Sequence, residues 1–290
     1  METPVQEPDA TRREALRRLL DDPSPAVRGA LLKCFAGMGA AAGPFLREVA
    51  SGSDRLLAGH ATRFLEELKF TDPAEEFRTF IRSLNYELES GALLMARTVS
   101  PRLDVGWCCA TLDSAAARCR ELISEPSTRR EKCRVINRVL FHELGFRGDL
   151  EHFTDPRNSL IDQVLARRKG IPVSLCTVYL LVAGRLGIDL EPVALPGYFM
   201  VGSWGQGPTF FIDPFESGLF RGKEEVLALL RARQAAPQAG DLVPSPVREV
   251  LCRSCRNLVS HFLEDGDGAR AQLFAGFVEQ FEAAYARNTP

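Results

Sequence analysis

A thiol, a phenol and a carboxylate lie on one stretch of this chain, residues 170–220, at positions where they are candidates for chemistry. Cys176 follows Ser174 by two residues in a run, 170–183, that is apolar nearly all round and so reads as a helix inside a core. Tyr198 and Asp213 stand in two short strand-like runs, Gly197-Tyr198-Phe199-Met200-Val201 and Thr209-Phe210-Phe211-Ile212-Asp213-Pro214-Phe215. Thiol catalysis needs a thiolate, an imidazole within hydrogen-bond reach of it, and a group that orients the imidazole. Cys176 offers the first, with Ser174 as an alternative nucleophile, and Asp213 offers the third. The imidazole is the missing part: the four histidines are His60, His142, His152 and His261, and none falls between residues 170 and 220. Only His152 is placed to enter such a site from a loop. The competing readings are a packed core thiol for Cys176, since free cysteine is among the most buried residue types, and for Asp213 an end-of-strand residue that satisfies backbone donors before Pro214. With no histidine to orient, these readings are preferred.

The elements that must position these groups follow from punctuation and periodicity. Asp155-Pro156 places a capping carboxylate and a φ-fixed residue at a helix start, and Leu160, Ile161, Val164 and Leu165 follow at helical spacing. Arg167, Arg168 and Lys169 form the last turn, Gly170 is expected to end it, and Pro172 restarts a helix at once. Asn158 and Ser159 are polar on a face otherwise directed inward. They either line a pocket with Arg168 and Ser174 or bond the loop before Gly170. Pro192-Val193-Ala194-Leu195 supplies a further strand.

Five runs, in order, carry a resemblance: Leu140-Phe141-His142-Glu143-Leu144-Gly145-Phe146-Arg147-Gly148-Asp149, Asp155-Pro156-Arg157-Asn158-Ser159-Leu160, Arg168-Lys169-Gly170-Ile171-Pro172-Val173-Ser174-Leu175, Leu195-Pro196-Gly197 and Phe211-Ile212-Asp213-Pro214-Phe215. Together they resemble the SirB-type transglutaminase-like family. The resemblance implies an α+β, mostly helical fold with a transglutaminase/papain-like core, in which a buried central helix packs against a small antiparallel sheet and is flanked by helical repeats. In active relatives Cys leads that helix while His and Asp follow on strands. Here Pro172 stands at or near the nucleophile's place, and Tyr198 stands in Pro196-Gly197-Tyr198-Phe199 where the usual motif has His. A phenol with a pKa near ~10 donates hydrogen bonds at neutral pH and rarely takes a proton. Cys176, Tyr198 and Asp213 are thus a remnant site. The implied function is a non-catalytic protein that binds a protein or peptide partner through the remnant cleft. The alternatives are a cysteine-dependent acyl-transfer or amide-hydrolysing enzyme using Cys176 or Ser174 with Asp213, and a purely structural subunit.

Composition bounds the rest. The 290 residues, 45% hydrophobic and 26% charged, are ordinary for globular chains of one to three domains. A net charge of -2 leaves no basic surplus for nucleic acid, and no run of apolar residues reaches the ~18 needed for a membrane span. The first residues have neither a basic start nor an apolar run, so no secretory signal is expected. The eight cysteines sit mostly in helical apolar patterns and read as reduced thiols of a cytoplasmic protein. Cys252-x-x-Cys255 lacks the second ligand pair of a closed zinc site, and Asp265-Gly266-Asp267-Gly268 is too short for a calcium loop, so no cofactor or metal is expected.

Four segments are predicted: a disordered leader at 1–9, a HEAT-like helical segment at 10–70, the SirB-type transglutaminase-like domain at 71–240 and a tetratricopeptide-like helical hairpin at 241–290. Within them, helices are predicted at 10–20, 26–35, 41–49, 54–69, 74–84, 88–99, 110–123, 128–144, 224–233, 247–263 and 269–286, with a linker at 234–240. Because fewer than three helical repeats seldom stand alone, residues 10–70 are expected to pack on the next domain.

Overall fold

Apolar residues at helical spacing fold the first part of the chain into α1 (Ala10–Leu20), α2 (Pro25–Met38), α3 (Ala42–Ala50) and α4 (Arg55–Glu67). The computed structural model describes residues 10–22, 24–68, 72–205, 207–233 and 239–288. The predicted leader at 1–9, Pro23 of the Asp22-Pro23 pair, Lys69 at the end of the predicted fourth helix and most of the predicted linker lie outside the described residues. The chain divides into a unit of Met1–Glu76 with Ser100–Arg102 and a unit of Phe77–Val99 with Leu103–Pro290. In the first, Leu31, Phe35, Phe45, Leu46, Ala61 and Phe64 form the core, and the Phe35 and Phe64 rings meet edge to face at 5.3 Å. Asp54 caps α4 by accepting from the Leu56 and Leu57 amides.

The boundary between units falls inside α5 (Pro73–Ser83). Then follow α6 (Leu88–Arg97), α7 (Val105–Leu122) and α8 (Arg129–Asn137). Helix α7 starts earlier than predicted because Asp104 caps it through the Trp107 amide. The predicted helix 128–144 is α8, capped reciprocally by Thr128 and Glu131, continued by a π-helical turn, Arg138–Glu143. A short parallel bridge joins β1 (Arg147–Gly148) to β2 (Lys169–Gly170), and between them lie a 3₁₀ turn at Pro156–Asn158 and α9 (Ile161–Arg167).

Two boundaries here differ from the prediction. The Asp155 carboxylate caps only the 3₁₀ turn, and Leu160 is extended before α9 begins. Arg168, not Gly170, ends α9, in the left-handed region at φ 56°. Gly170 is needed for close approach instead: a Cβ there would sit 2.6 Å from Ser174 Oγ.

Helix α10 (Pro172–Arg185) is buried at every residue from Pro172 to Ala183, as its all-round apolar sequence requires. It packs on an antiparallel meander of β3 (Glu191–Leu195), β4 (Tyr198–Ser203), β5 (Phe210–Asp213) and β6 (Leu219–Arg221), with Val193 opposite Met200 and Val201 opposite Ile212. Strand β6, short and only partly buried, is not foreseen by the sequence reading. Helix α11 (Lys223–Ala232) covers the other face of the sheet, its Val226, Leu227 and Leu230 meeting Val193, Leu195, Met200 and Phe211. Strand β4 lies between two layers and is buried throughout. Finally α12 (Val247–Glu264) and α13 (Gly268–Asn288) form a hairpin whose turn uses Gly266 at φ 80° and the Asp267 carboxylate, which accepts from the Arg270 amide and caps α13.

Candidate functional site

The hairpin between β3 and β4 turns at Pro196-Gly197, with Gly197 at φ 65°, a conformation that costs a side chain but not glycine. This turn delivers Tyr198 to the α11 face of the sheet. There its hydroxyl donates to the Asp213 carboxylate, 3.0 Å from Oδ1 and 3.1 Å from Oδ2, and the Arg233 guanidinium lies 4.2 Å over its ring. Asp213 also accepts from the Glu216 amide and from Arg221 Nε at 3.4 Å. Burial pushes the Tyr198 phenol far above its ordinary pKa, and the charge of Asp213 and the hydrogen bond to it add to the rise. Burial likewise raises the Asp213 carboxyl, against the opposing pull of Tyr198, the Glu216 amide and Arg221. Arg221 and Arg233 are partners that the sequence reading does not name; the first sits on the unforeseen strand β6.

Cys176 belongs to the opposite layer. Side chains alternate across a strand, so Phe199 faces α10 where Tyr198 faces α11, and the Cys176 thiol donates to the Phe199 carbonyl at 3.6 Å. Burial, then the charge of Asp213, raises its pKa well above the ordinary thiol value. The structure therefore joins Tyr198 to Asp213 and leaves Cys176 without a hydrogen bond to either. The remnant cleft expected between the three is a closed core, with exposures of 0%, 3% and 0% for Cys176, Tyr198 and Asp213. The physical reason is the double cover of the sheet by α10 and α11.

The polar residues before the central helix form a second arrangement. Ser174 Oγ donates to the Asn158 carbonyl at 2.6 Å and accepts from the Ile171 amide at 3.0 Å, which caps α10 and ties it to the 3₁₀ turn. Asn158 is fully buried; its amide donates to the His152 carbonyl and its oxygen accepts from Arg167. Arg167 also reaches Asp149 and Asp155, each at 3.4 Å. Burial pushes the Asp149 carboxyl up, but the His152 amide, Lys169 and Asn158 together hold it below the ordinary carboxylate range. Arg168 is not part of this arrangement: exposed, it donates to the Leu144 carbonyl at 2.8 Å. Ser159 Oγ is buried and bonds no protein group. Of the two options the sequence leaves open, Asn158 takes the loop, bonding the His152 carbonyl, while Ser159 and Ser174 share the lining of a small pocket in which Arg168 has no part. Asp149, Asp155, Arg167 and Lys169 carry the charges of this arrangement, and the sequence marks none of them as a binding residue. The signal available for Asp149 was its place in the first of the five motif runs.

A family model described as the transglutaminase-like superfamily matches residues 107–256, the span from α7 through the sheet to α12. The chain belongs to the transglutaminase-like superfamily. Among the curated relatives of this transglutaminase-like protein, a UPF0162 protein of Xylella fastidiosa (strain 9a5c) is 35% identical over 190 residues, covering 63% of this chain and 68% of the relative. A UPF0162 protein of Vibrio cholerae is 35% identical over 132 residues, 44% of this chain and 48% of the relative. F-box only protein 21 of Mus musculus is 32% identical over 160 residues, 52% of this chain and 25% of that protein. The transglutaminase-like chain thus spans two thirds of the length of one such relative and half or less of the others. No solved structure matches it. Among the described residues no cluster of three His, Cys, Asp or Glu side chains is arranged to hold a metal ion, and no helix is long and apolar enough to cross a membrane. Cys252 and Cys255 are both buried on α12, and the Cys255 thiol lies 3.8 Å from the Met95 sulfur.

Proposed function

We propose that this transglutaminase-like protein is non-catalytic and binds a protein or peptide partner. One observation carries the reading: Tyr198, which stands where the family motif has a histidine, gives its hydroxyl hydrogen to Asp213, while Cys176 lies buried behind the sheet. Acyl transfer by a thiol requires the thiol proton to pass to a base in contact with it. Cys176 contacts a backbone carbonyl, which is no base, and its raised pKa leaves little thiolate at neutral pH. Ser174, the alternative nucleophile, spends its hydroxyl as a helix cap. The partner's place is a surface groove of the larger unit, since the remnant cleft is closed to anything the size of a peptide.

The test is amine incorporation into glutamine peptides and amide hydrolysis by the purified chain, each compared with Cys176→Ala. Equal, background rates are expected. Turnover by the unaltered chain that disappears in Cys176→Ala would overturn the reading and establish the thiol enzyme instead.

A further inference from the structure

Among the described residues of the larger unit, two wide grooves differ in their chemistry. The first, about 650 Å³, runs between the 151–157 loop and the turn of the α12–α13 hairpin. Its cations are already matched within the chain: Arg157 pairs with Asp155 at 2.7 Å and Arg270 with Asp267 at 3.0 Å. Two arginines stand there against four carboxylates, Glu151, Asp155, Glu264 and Asp265, so its rim is less one-sided than that of the second groove.

The second groove, about 580 Å³, lies where α6, α7, the end of α10 and the start of β3 come together. Leu180, Leu181, Leu88 and Leu190 give it an apolar floor. Four carboxylates, Glu87, Glu89, Asp113 and Glu191, line it against one cation, Arg185. That cation is fully engaged: its fork takes both Glu89 oxygens, at 2.7 and 2.8 Å, and its Nε donates to Asp113 at 2.6 Å. Glu89 also accepts from the Cys109 thiol. The pairing ties α6, α7 and α10 together and leaves the lining with more negative than positive charge. The helix ends add no net sign: Arg120 donates to the Arg185 carbonyl at the carboxyl end of α10, and the first turn of α6, capped by Glu87, lies in the same lining. An apolar floor under an acidic rim attracts a segment with leucine-like side chains on one face and lysine or arginine on the other. Arg185 itself, held between Glu89 and Asp113, is the intramolecular example of such a cation seated here.

We propose that this groove docks a basic amphipathic segment of a partner protein. The proposal rests on the binding reading above and names the partner's chemistry. The volume lies within the range of about 300–1,000 Å³ over which proteins take ligands into clefts.

The test uses the full chain and a fluorescent helical peptide with leucines on one face and lysines on the other. A second peptide, identical except for glutamate in place of every lysine, is the control. Anisotropy is expected to report binding of the lysine peptide, weakened by added salt, and none of the glutamate peptide. Glu191→Lys, exposed on edge strand β3, and separately Asp113→Asn are each expected to weaken binding, about tenfold for the charge reversal. Amide exchange is expected to slow at residues 87–92 and 180–191. No binding of the lysine peptide, equal binding of both peptides, unchanged affinity in Glu191→Lys, or protection at 151–157 and 262–270 instead would each overturn the assignment of this groove. None of those outcomes touches the non-catalytic reading, which fails on turnover above background by the purified chain.

Discussion

The Tyr198 hydroxyl and the Asp213 carboxylate are bound to each other, oxygen to oxygen at 3.0 and 3.1 Å, on the face of the sheet away from Cys176. A histidine at position 198 would have offered a proton acceptor with an orienting carboxylate. The phenol instead spends the carboxylate's acceptor capacity on a structural bond that holds the end of β5 to the start of β4.

The burial of Asp213, which outweighs that bond, makes stability depend on pH. Burial raises the Asp213 pKa in the folded state. A carboxyl raised on folding contributes stability that is full below its unfolded pKa of ~3.9 and is lost as pH rises through the folded value. Asn cannot titrate, so the stability of the unaltered chain relative to Asp213→Asn is expected to fall as pH rises above about 4. Urea midpoints of the two chains across that range measure it. A difference that grows with pH would mean that pairing with Arg221 outweighs burial.

Cys176 is expected to resist iodoacetamide at neutral pH until the chain unfolds, whereas the partly accessible Cys34 reacts earlier. Tyr198→His is expected to give no acceleration at Cys176, because the new ring would face α11 with the sheet between it and the thiol. Peptide mapping of alkylated cysteines decides the matter. Rapid labelling of Cys176 at mildly acidic pH in the unaltered chain would contradict the closed-core geometry.

Val178 is 2% exposed in the middle of α10. Val178→Asp places an unpaired charge in that core, at an expected cost of about 3–5 kcal/mol or more. Loss of the cooperative unfolding transition followed by circular dichroism is the expected result. A soluble, cooperatively folded variant would remove α10 from the centre of the unit.

Adjacent arginines are expected to behave differently. Arg167→Ala leaves the buried Asp149 and Asn158 short of a partner and should cost about 2–4 kcal/mol. Arg168→Gly loses one bond to the Leu144 carbonyl but relieves a left-handed backbone, two effects of about 1 kcal/mol each in opposite directions. Chemical denaturation of both variants gives the comparison. Equal losses would show that the Asp149 hub is not the stronger restraint.

Local sequence determined the elements whose cause is local. The all-round apolar run after Pro172 has no polar face to offer water, so α10 had to be interior; Asp54, Thr128 and Asp155 announce the turns that they cap; Pro and Gly delimit β3 to β5. The five ordered motif runs made the transglutaminase-like superfamily legible before any coordinate. What tertiary structure decided was pairing and side. Whether Tyr198 turns towards Cys176 or away from it is a matter of one residue of register, and strand alternation leaves that to packing against α10 and α11. The αL stop at Arg168 was hidden because Gly170, the obvious terminator, is held instead by contact with Ser174 across a bridge to β1. Asp149 meets Arg167 eighteen residues on, Tyr198 meets Asp213 fifteen residues on, and Glu89 meets Arg185 ninety-six residues on. Such partnerships depend on where distant segments come to rest, and no spacing within one segment encodes them.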